Sequence, residues 1–330
     1  MMERRRKVGW LLALYFAVGI GLSHSTAAQT WVPERNVELV VPAAPGSSMD
    51  VIVRTVERIV REFKLAPVSI AVVNRAGGEH AVAYNYIKQR TGDPHYLSLT
   101  SQALLANHIS GVLPLTYTDV TPIASFISEY YAFLVQPESP IKTGKDFVQV
   151  LKEQPDSVSI AVGNIIQRIA VGLVLQSGNV DIKRVRMAAM TGAKTTPTLM
   201  GGHVDVAMAA IGAAIPLIEA GKVRAIAVSG PKRVGGPLAA VPTWAELGYS
   251  NSSLVAWRGM IAPKEITPAQ IVYWEGVLRL VTENKKFREM AERQQYDVEF
   301  RNAAETRKLM EAEYAQLKQV MGYLGVVVVK

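Results

Sequence analysis

The sequence predicts an α/β protein built as two lobes. Three observations carry this. Short apolar strands alternate with amphipathic helices across residues 37–100, joined by Gly- and Ser-containing turns. The same alternation starts again after residue 143. Once an N-terminal leader is set aside, about 300 residues remain, enough for two domains of ordinary size.

The elements follow in order. Val37-Glu38-Leu39-Val40-Val41 reads as a strand stopped by Pro42. A helix is expected over 50–63, because Ile52, Val56, Ile59, Val60 and Phe63 recur on one face. Residues 68–73 read as a second strand, 81–89 as a helix and 96–100 as a third strand. In the later half a helix is expected over 143–153 and a strand over 157–162, with Gly163-Asn164 as the turn. Ile166, Ile169, Ala170, Leu173 and Val174 then form a helical stripe. Short buried strands are expected at 205–208 and 225–228, around a helix. The C-terminal part reads as mainly helical, with Thr267-Pro268 opening one helix and a capping box at Asn302 and Glu305. This order predicts mostly parallel sheets.

The first 28 residues have the layout of a secretory signal peptide. Arg4-Arg5-Arg6-Lys7 precede an apolar run of 15 residues over 8–22, and Thr26-Ala27-Ala28 offer small residues for cleavage near Ala28. The run is short of the roughly 20 residues a membrane-spanning helix needs. Export to a bacterial periplasm is therefore expected. The complete absence of Cys removes disulfides, thiol nucleophiles and thiolate metal sites. A leader with four basic and one acidic residue takes the formal net charge from +8 to +5 when it leaves. That excess is spread along the chain without a Lys/Arg block, which argues against nucleic acid as a partner.

The strand-to-helix turn at Ala43-Ala44-Pro45-Gly46-Ser47-Ser48 is the first place where an anion can be held. The start of a helix carries unpaired N–H groups and the positive end of the helix dipole. Gly46 permits close approach of the backbone, Ser47 and Ser48 add hydroxyls, and Asp50 suits a helix cap. Gly163-Asn164-Ile165 forms a second such turn. Two helix starts facing one another would grip one ligand from both sides, outside the carboxyl ends of the strands.

At these segments the chain resembles the Bug-type receptors of tripartite tricarboxylate transporters, from about residue 35 to 323. Residues 42–50 resemble the family pattern Pro-Phe-Pro-Pro-Gly-Gly-Ser-Thr-Asp, and Val72-Val73-Asn74-Arg75-Ala76-Gly77 its Val-Glu-Asn-Arg-Pro-Gly. Leu115-Thr116-Tyr117-Thr118-Asp119, Gly201 to Val206, Ile218-Glu219-Ala220-Gly221-Lys222 and Val241-Pro242-Thr243-Trp244 follow in the family's order, and Trp257, Gly259 and Ala262-Pro263 complete it. The resemblance implies a type II periplasmic-binding-protein fold, with lobe one over 31–131 and 254–330, lobe two over 132–253, and two crossover strands between them. It implies capture of a small organic carboxylate and its delivery to membrane permease subunits. A sensor-kinase ectodomain is the alternative partner, and a monomer with no cofactor is expected. The implied ligand-binding residues are Ala43, Pro45, Gly46, Ser47, Ser48, Ser101, Gln102, Gly163, Asn164, Ile165, Thr191, Gly192 and Arg258. Asp50, Gly77, Arg168 and Trp257 are further candidates. Both arginines can make paired, charge-assisted bonds to a carboxylate.

The chain departs from the family at four places. Gly163-Asn164-Ile165-Ile166 stands where the family has Gly-x-Gly-Ser, Ala189-Met190-Thr191 where it has Tyr-Lys-Gly, Ala209-Ala210 where it has Asp-Asn, and Glu79-His80-Ala81-Val82-Ala83 where it has Gly-Gly-Asn-Ile-Gly. A pocket more apolar in lobe two is expected, suited to one carboxylate on a hydrophobic or aromatic body. Catalysis is not expected. The histidines at 24, 80, 95, 108 and 203 have no metal-ligand spacing. No serine-hydrolase elbow, phosphate-binding loop or dinucleotide loop is present.

Overall fold

The computed structural model describes residues 31–190 and 192–326. The leader and Thr191 fall outside the described residues. Two β-sheets, each covered by helices, form the two lobes.

The first sheet has six strands: β1 (Val37–Val41), β2 (Ile70–Asn74), β3 (Tyr96–Ser101), β4 (Val120–Glu129), β10 (Ala256–Pro263) and β11 (Asp297–Arg301). Their order is β11-β4-β10-β3-β1-β2. The second sheet has β5 (Tyr131–Val135), β6 (Ser159–Val162), β7 (Arg186–Ala189), β8 (Val206–Ala210) and β9 (Arg224–Val228), in the order β7-β6-β8-β5-β9. Both sheets are mixed, which corrects the expectation of mostly parallel pairing. Strand β1 runs parallel to β2 and β3, and β6 parallel to β7 and β8. The strands that carry the chain between lobes enter each sheet reversed: β10 lies antiparallel to β3 and β4, and β5 antiparallel to β8 and β9.

Local chemistry explains the helices. Ser47 caps α1 (Ser48–Glu62) by accepting from the Asp50 amide, and Asn164 caps α5 (Ile165–Ser177) by accepting from the Gln167 amide. Reciprocal capping boxes open α4 (Gly144–Glu153) at Thr143 and Asp146, α8 (Pro268–Glu283) at Thr267 and Gln270, and α10 (Ala303–Tyr323) at Asn302 and Glu305. The remaining helices are α2 (Ala81–Lys88), α3 (Ala103–Ile109), α6 (Gly192–Met200), α7 (Ile211–Glu219) and α9 (Lys285–Arg293).

One apolar core lies wholly in the first lobe, where Ile52, Val56 and Ile59 of α1 meet Trp274, Val281 and Phe287. A second core runs through both lobes, joining Leu104 and Leu105 to Ile169 and Val174 and to Leu317 and Val320. Helix α10 therefore straps the lobes together. A Cβ on Gly172 of α5 would lie 3.0 Å from Leu324, and the Tyr323 hydroxyl donates to the Val180 carbonyl.

Candidate functional site

The chain passes from the first sheet to the second through Glu129-Tyr130-Tyr131 and returns into β10 at Ala256. Side chains alternate across strands, and here the alternation separates two cavities. Glu129, Tyr131 and Arg258 line a cavity of about 470 Å³ between the lobes, whereas Ser128, Tyr130 and Trp257 line one of about 300 Å³ behind the crossover strands.

The front cavity sits at the carboxyl ends of β1, β6, β7 and β8, and a helix begins directly after each. Ser48 of α1, Asn164 before α5, Gly192 of α6, and Ala210 and Gly212 at α7 all line it. Four helix starts therefore bring positive dipole ends to one space, although the first amide of α7, that of Ile211, donates to the Tyr130 carbonyl. The amides of Ser48, Met49, Ile165 and Ile166 have no acceptor among the described residues. The lobes also touch at this cavity: a Cβ on Gly212 would lie 2.6 Å from the Gln294 carbonyl oxygen.

The first turn is braced from within. Asp50 is buried and accepts from the Gly46 amide at 2.9 Å, Arg54 Nε at 2.9 Å and Asn74 Nδ2 at 2.9 Å. Burial alone would raise its pKa, but the bonds from Arg54, Gly46 and Asn74 hold the carboxyl below the usual carboxylate range. Asn74 also donates to the Ala43 carbonyl. Gly46 has φ +79°, a conformation that favours glycine. Its amide and the Ser47 hydroxyl are both engaged with Asp50, so Ser48 is the residue of this turn that lines the cavity.

The second turn is braced in the same way. Gln167 is buried and accepts from the Gly163 amide at 2.6 Å, while its own amide donates to Asn164 Oδ1 at 2.9 Å. A Cβ on Gly163 would sit 2.4 Å from the Gly192 Cα, so these two turns stack backbone on backbone. Ile166 and Ile169 are buried on the core side of α5, and Ile165 is half-buried. The apolar character on this side of the cavity comes instead from Ala193, Ala209, Ala210 and Ala213.

The floor holds the site's formal charges. Arg258 Nη2 lies 2.6 Å from Glu129 Oε2, with side-chain exposures of 13% and 7%. Burial pushes the Glu129 carboxyl upward against the pull of Arg258. The Tyr131 phenol shares this cavity with Arg258 and Asn164; burial and Glu129 raise its pKa to about 12. Tyr296 lines the same cavity as Ser48 and Glu129, and burial raises its pKa. His80, flanking Arg258, is held near pKa 4 by burial and by that guanidinium.

His80 ends a run of four left-handed residues, Gly77 (φ +127°), Gly78 (+53°), Glu79 (+48°) and His80 (+81°). The last two are strained, since side-chain-bearing residues seldom occupy this region. Gly77 belongs to this run and does not line the front cavity.

Of the residues singled out in the sequence, Ser48, Asn164, Gly192 and Arg258 meet around the front cavity. Ala43, Pro45, Gly46, Ser47, Asp50, Gly163 and Ile165 belong to the turns behind it. Ser101 is buried, its hydroxyl accepting from the Ala103 amide. Gln102 and Trp257 face the rear cavity, where both donate to Glu313. Arg168 lies off the front cavity, and its Nε is buried without a hydrogen-bond partner among the described residues.

The sequence reading missed Glu129, Tyr131, Gln167, Gln294 and Tyr296. Glu129 carried a legible signal, as one acid in the otherwise apolar and hydroxyl-bearing run 120–135. Tyr296 carried none, because it reaches the cleft from β11's approach, far away in sequence.

Three comparisons bear on this architecture. The model of the tripartite tricarboxylate transporter family receptor matches residues 52–326. Protein BugT of Bordetella pertussis is 26% identical, over 78% of this chain and 79% of its own. A UPF0065 protein of Agrobacterium vitis is 28% identical, over 82% and 78%. A crystallised TctC solute-binding protein from Polaromonas superposes with TM-score 0.73 at 21% identity, over 88% of this chain and 99% of its own. Rpa4515 of R. palustris, solved with adipate, superposes with TM-score 0.76 at 20% identity, over 90% and 99%. At these identities the structural likeness establishes the fold, that of a two-lobed periplasmic solute-binding protein.

Proposed function

The chain belongs to the tripartite tricarboxylate transporter receptor family, and on that premise we propose that it captures a small organic carboxylate in the front cavity and hands it to membrane permease subunits. Binding without chemistry is the role proposed. The observation that carries this reading is the convergence of four helix starts on one inter-lobe space. Such a space favours an anion by dipole and by free N–H groups, and a carboxylate has the oxygens to accept from several at once.

The energetics suit a receptor. A micromolar complex needs about −8 kcal/mol. Hydrogen bonds to a charged oxygen contribute about 1.5–3 kcal/mol each, so three or four supply a large share of the gross attraction, and burial of the ligand's apolar body adds to it against the costs of ordering and lobe closure. The alanine-lined side is suited to an apolar body, so a monocarboxylate with a branched or aromatic group is the proposed class. The basic leader and its apolar run support a periplasmic location for this work, and the bound, closed form is the one proposed to dock with the permease.

Calorimetric titration with mono-, di- and aromatic carboxylates tests the reading. Micromolar binding of at least one acid is expected, and Ala210→Glu, which sets a carboxylate in the cavity, should weaken it about 100-fold through like-charge repulsion. Acids that fail to bind altogether, or that bind the variant equally well, would overturn it.

A further inference from the structure

We infer that the ligand carries a hydrogen-bond donor, an ammonium or hydroxyl group, beside a single carboxylate, and that Glu129 is the residue that selects it. This rests on the carboxylate reading of the front cavity and narrows it to amino or hydroxy monocarboxylates.

The argument begins with the charges available. Among the described residues lining the cavity, Arg258 is the one cation and Glu129 the one acid, and they are bonded to each other. Arg258 also donates through Nη1 to the Trp257 carbonyl at 3.1 Å. A guanidinium committed in this way is not a free clamp for an incoming carboxylate. Glu129 is only half committed. Oε2 meets Arg258, whereas Oε1 has no donor among the described residues although the residue is 5% exposed and lines the cavity. That carboxylate oxygen opens onto the cavity with spare acceptor capacity, and an occupant that displaces solvent from it is favoured if it brings a donor.

The groups lining the cavity give the ligand its pattern. The Glu129–Arg258 pair shares the cavity with Ser48 at the start of α1, Asn164 at the start of α5, Tyr131 and Tyr296. Helix starts supply N–H donors to this space, and Glu129 Oε1 supplies an acceptor to it. A complementary molecule places its carboxylate on a helix start, its donor over Glu129 and its apolar body against Ala193, Ala209 and Ala213. A second carboxylate over Glu129 would set two like charges together in a confined space, which is unfavourable. The cavity therefore discriminates by charge pattern as well as by size.

Four acids sharing one branched body test this: 4-methylpentanoate, 2-hydroxy-4-methylpentanoate, leucine and 2-isobutylsuccinate, each titrated calorimetrically into the purified protein. The hydroxy and amino acids should bind at least about tenfold tighter than the plain acid, the return of one hydrogen bond to a charged oxygen, with the diacid weakest. Glu129→Gln should remove leucine's advantage and strengthen the diacid about tenfold. Because that variant leaves Arg258 without its partner, Glu129→Gln with Arg258→Gln serves as a second variant without a buried charge, and it should lose the same discrimination. A plain acid equal to the donors, a diacid tightest in the unaltered protein, or an order unchanged in both variants would overturn the inference. Binding by none of the four overturns it too. In that case binding of any other carboxylate leaves the underlying reading standing, and binding of none removes both.

Discussion

The two faces of the crossover strands treat a buried acid in opposite ways. On the front face Glu129 is bonded to Arg258 within hydrogen-bond distance and opens onto a cavity lined by helix starts. On the rear face Glu313 of α10 sits in a mostly apolar cavity, accepting from Trp257 Nε1 at 2.5 Å and Gln102 Nε2 at 3.1 Å, and makes no ion pair among the described residues. Burial raises its pKa to about 7, with the bonds from Trp257 and Gln102 and the nearby Arg301 opposing. Glu129 is therefore held as one half of a charge pair, and Glu313 as a group close to losing its charge. Adjacent strand positions feed both environments, so the difference comes from what each face packs against. A buried charge persists where a partner compensates its desolvation, and it neutralises where none does.

The largest expected effect breaks the front face. Arg258→Met leaves Glu129 buried and unpaired, which should cost about 3–5 kcal/mol of stability in urea unfolding, whereas replacing both residues with glutamine should cost markedly less. Equal losses in the two variants would mean that packing, not charge compensation, holds this face.

The rear face should show a smaller effect with a definite sign. A folded pKa near 7 against an unfolded value near 4.5 means that the folded state retains a proton the unfolded chain has released. The stabilising contribution is complete below about pH 4.5 and disappears as pH rises to about 7, an effect of about 2 kcal/mol once partial solvent access is allowed for. Glu313→Gln should flatten that part of the stability profile, while the front-face double variant should leave it intact. An unchanged profile in Glu313→Gln would assign the titration to another group.

The smallest effect sharpens the comparison at the flank of Arg258. His80 and Glu79 hold left-handed backbone where the family resemblance places glycines. Glu79→Gly should raise stability by about 0.5–1 kcal/mol, the strain relieved less the extra freedom given to the unfolded chain. A loss of stability instead would show that the Glu79 side chain contributes more than its backbone costs.

Much of this architecture is legible in the sequence because it is local. The strand at 37–41, the third strand expected over 96–100 and found over 96–101, the caps at Ser47, Thr267 and Asn302, and the strand-to-helix turns at Gly46 and Gly163 follow from periodicity and from turn and capping chemistry between near neighbours. The order of weak motifs along the chain likewise gave the family. Tertiary structure decided which turn residues face the cavity and which brace it. Asp50 draws on a partner 24 residues away in Asn74, and Glu129 on one 129 residues away in Arg258. It also sent the isoleucines of α5 to the core and left the alanines to line the cleft. Those outcomes depend on where distant segments pack, and a sequence pattern of period 2 or 3.6 reports only which face of its own element a residue occupies.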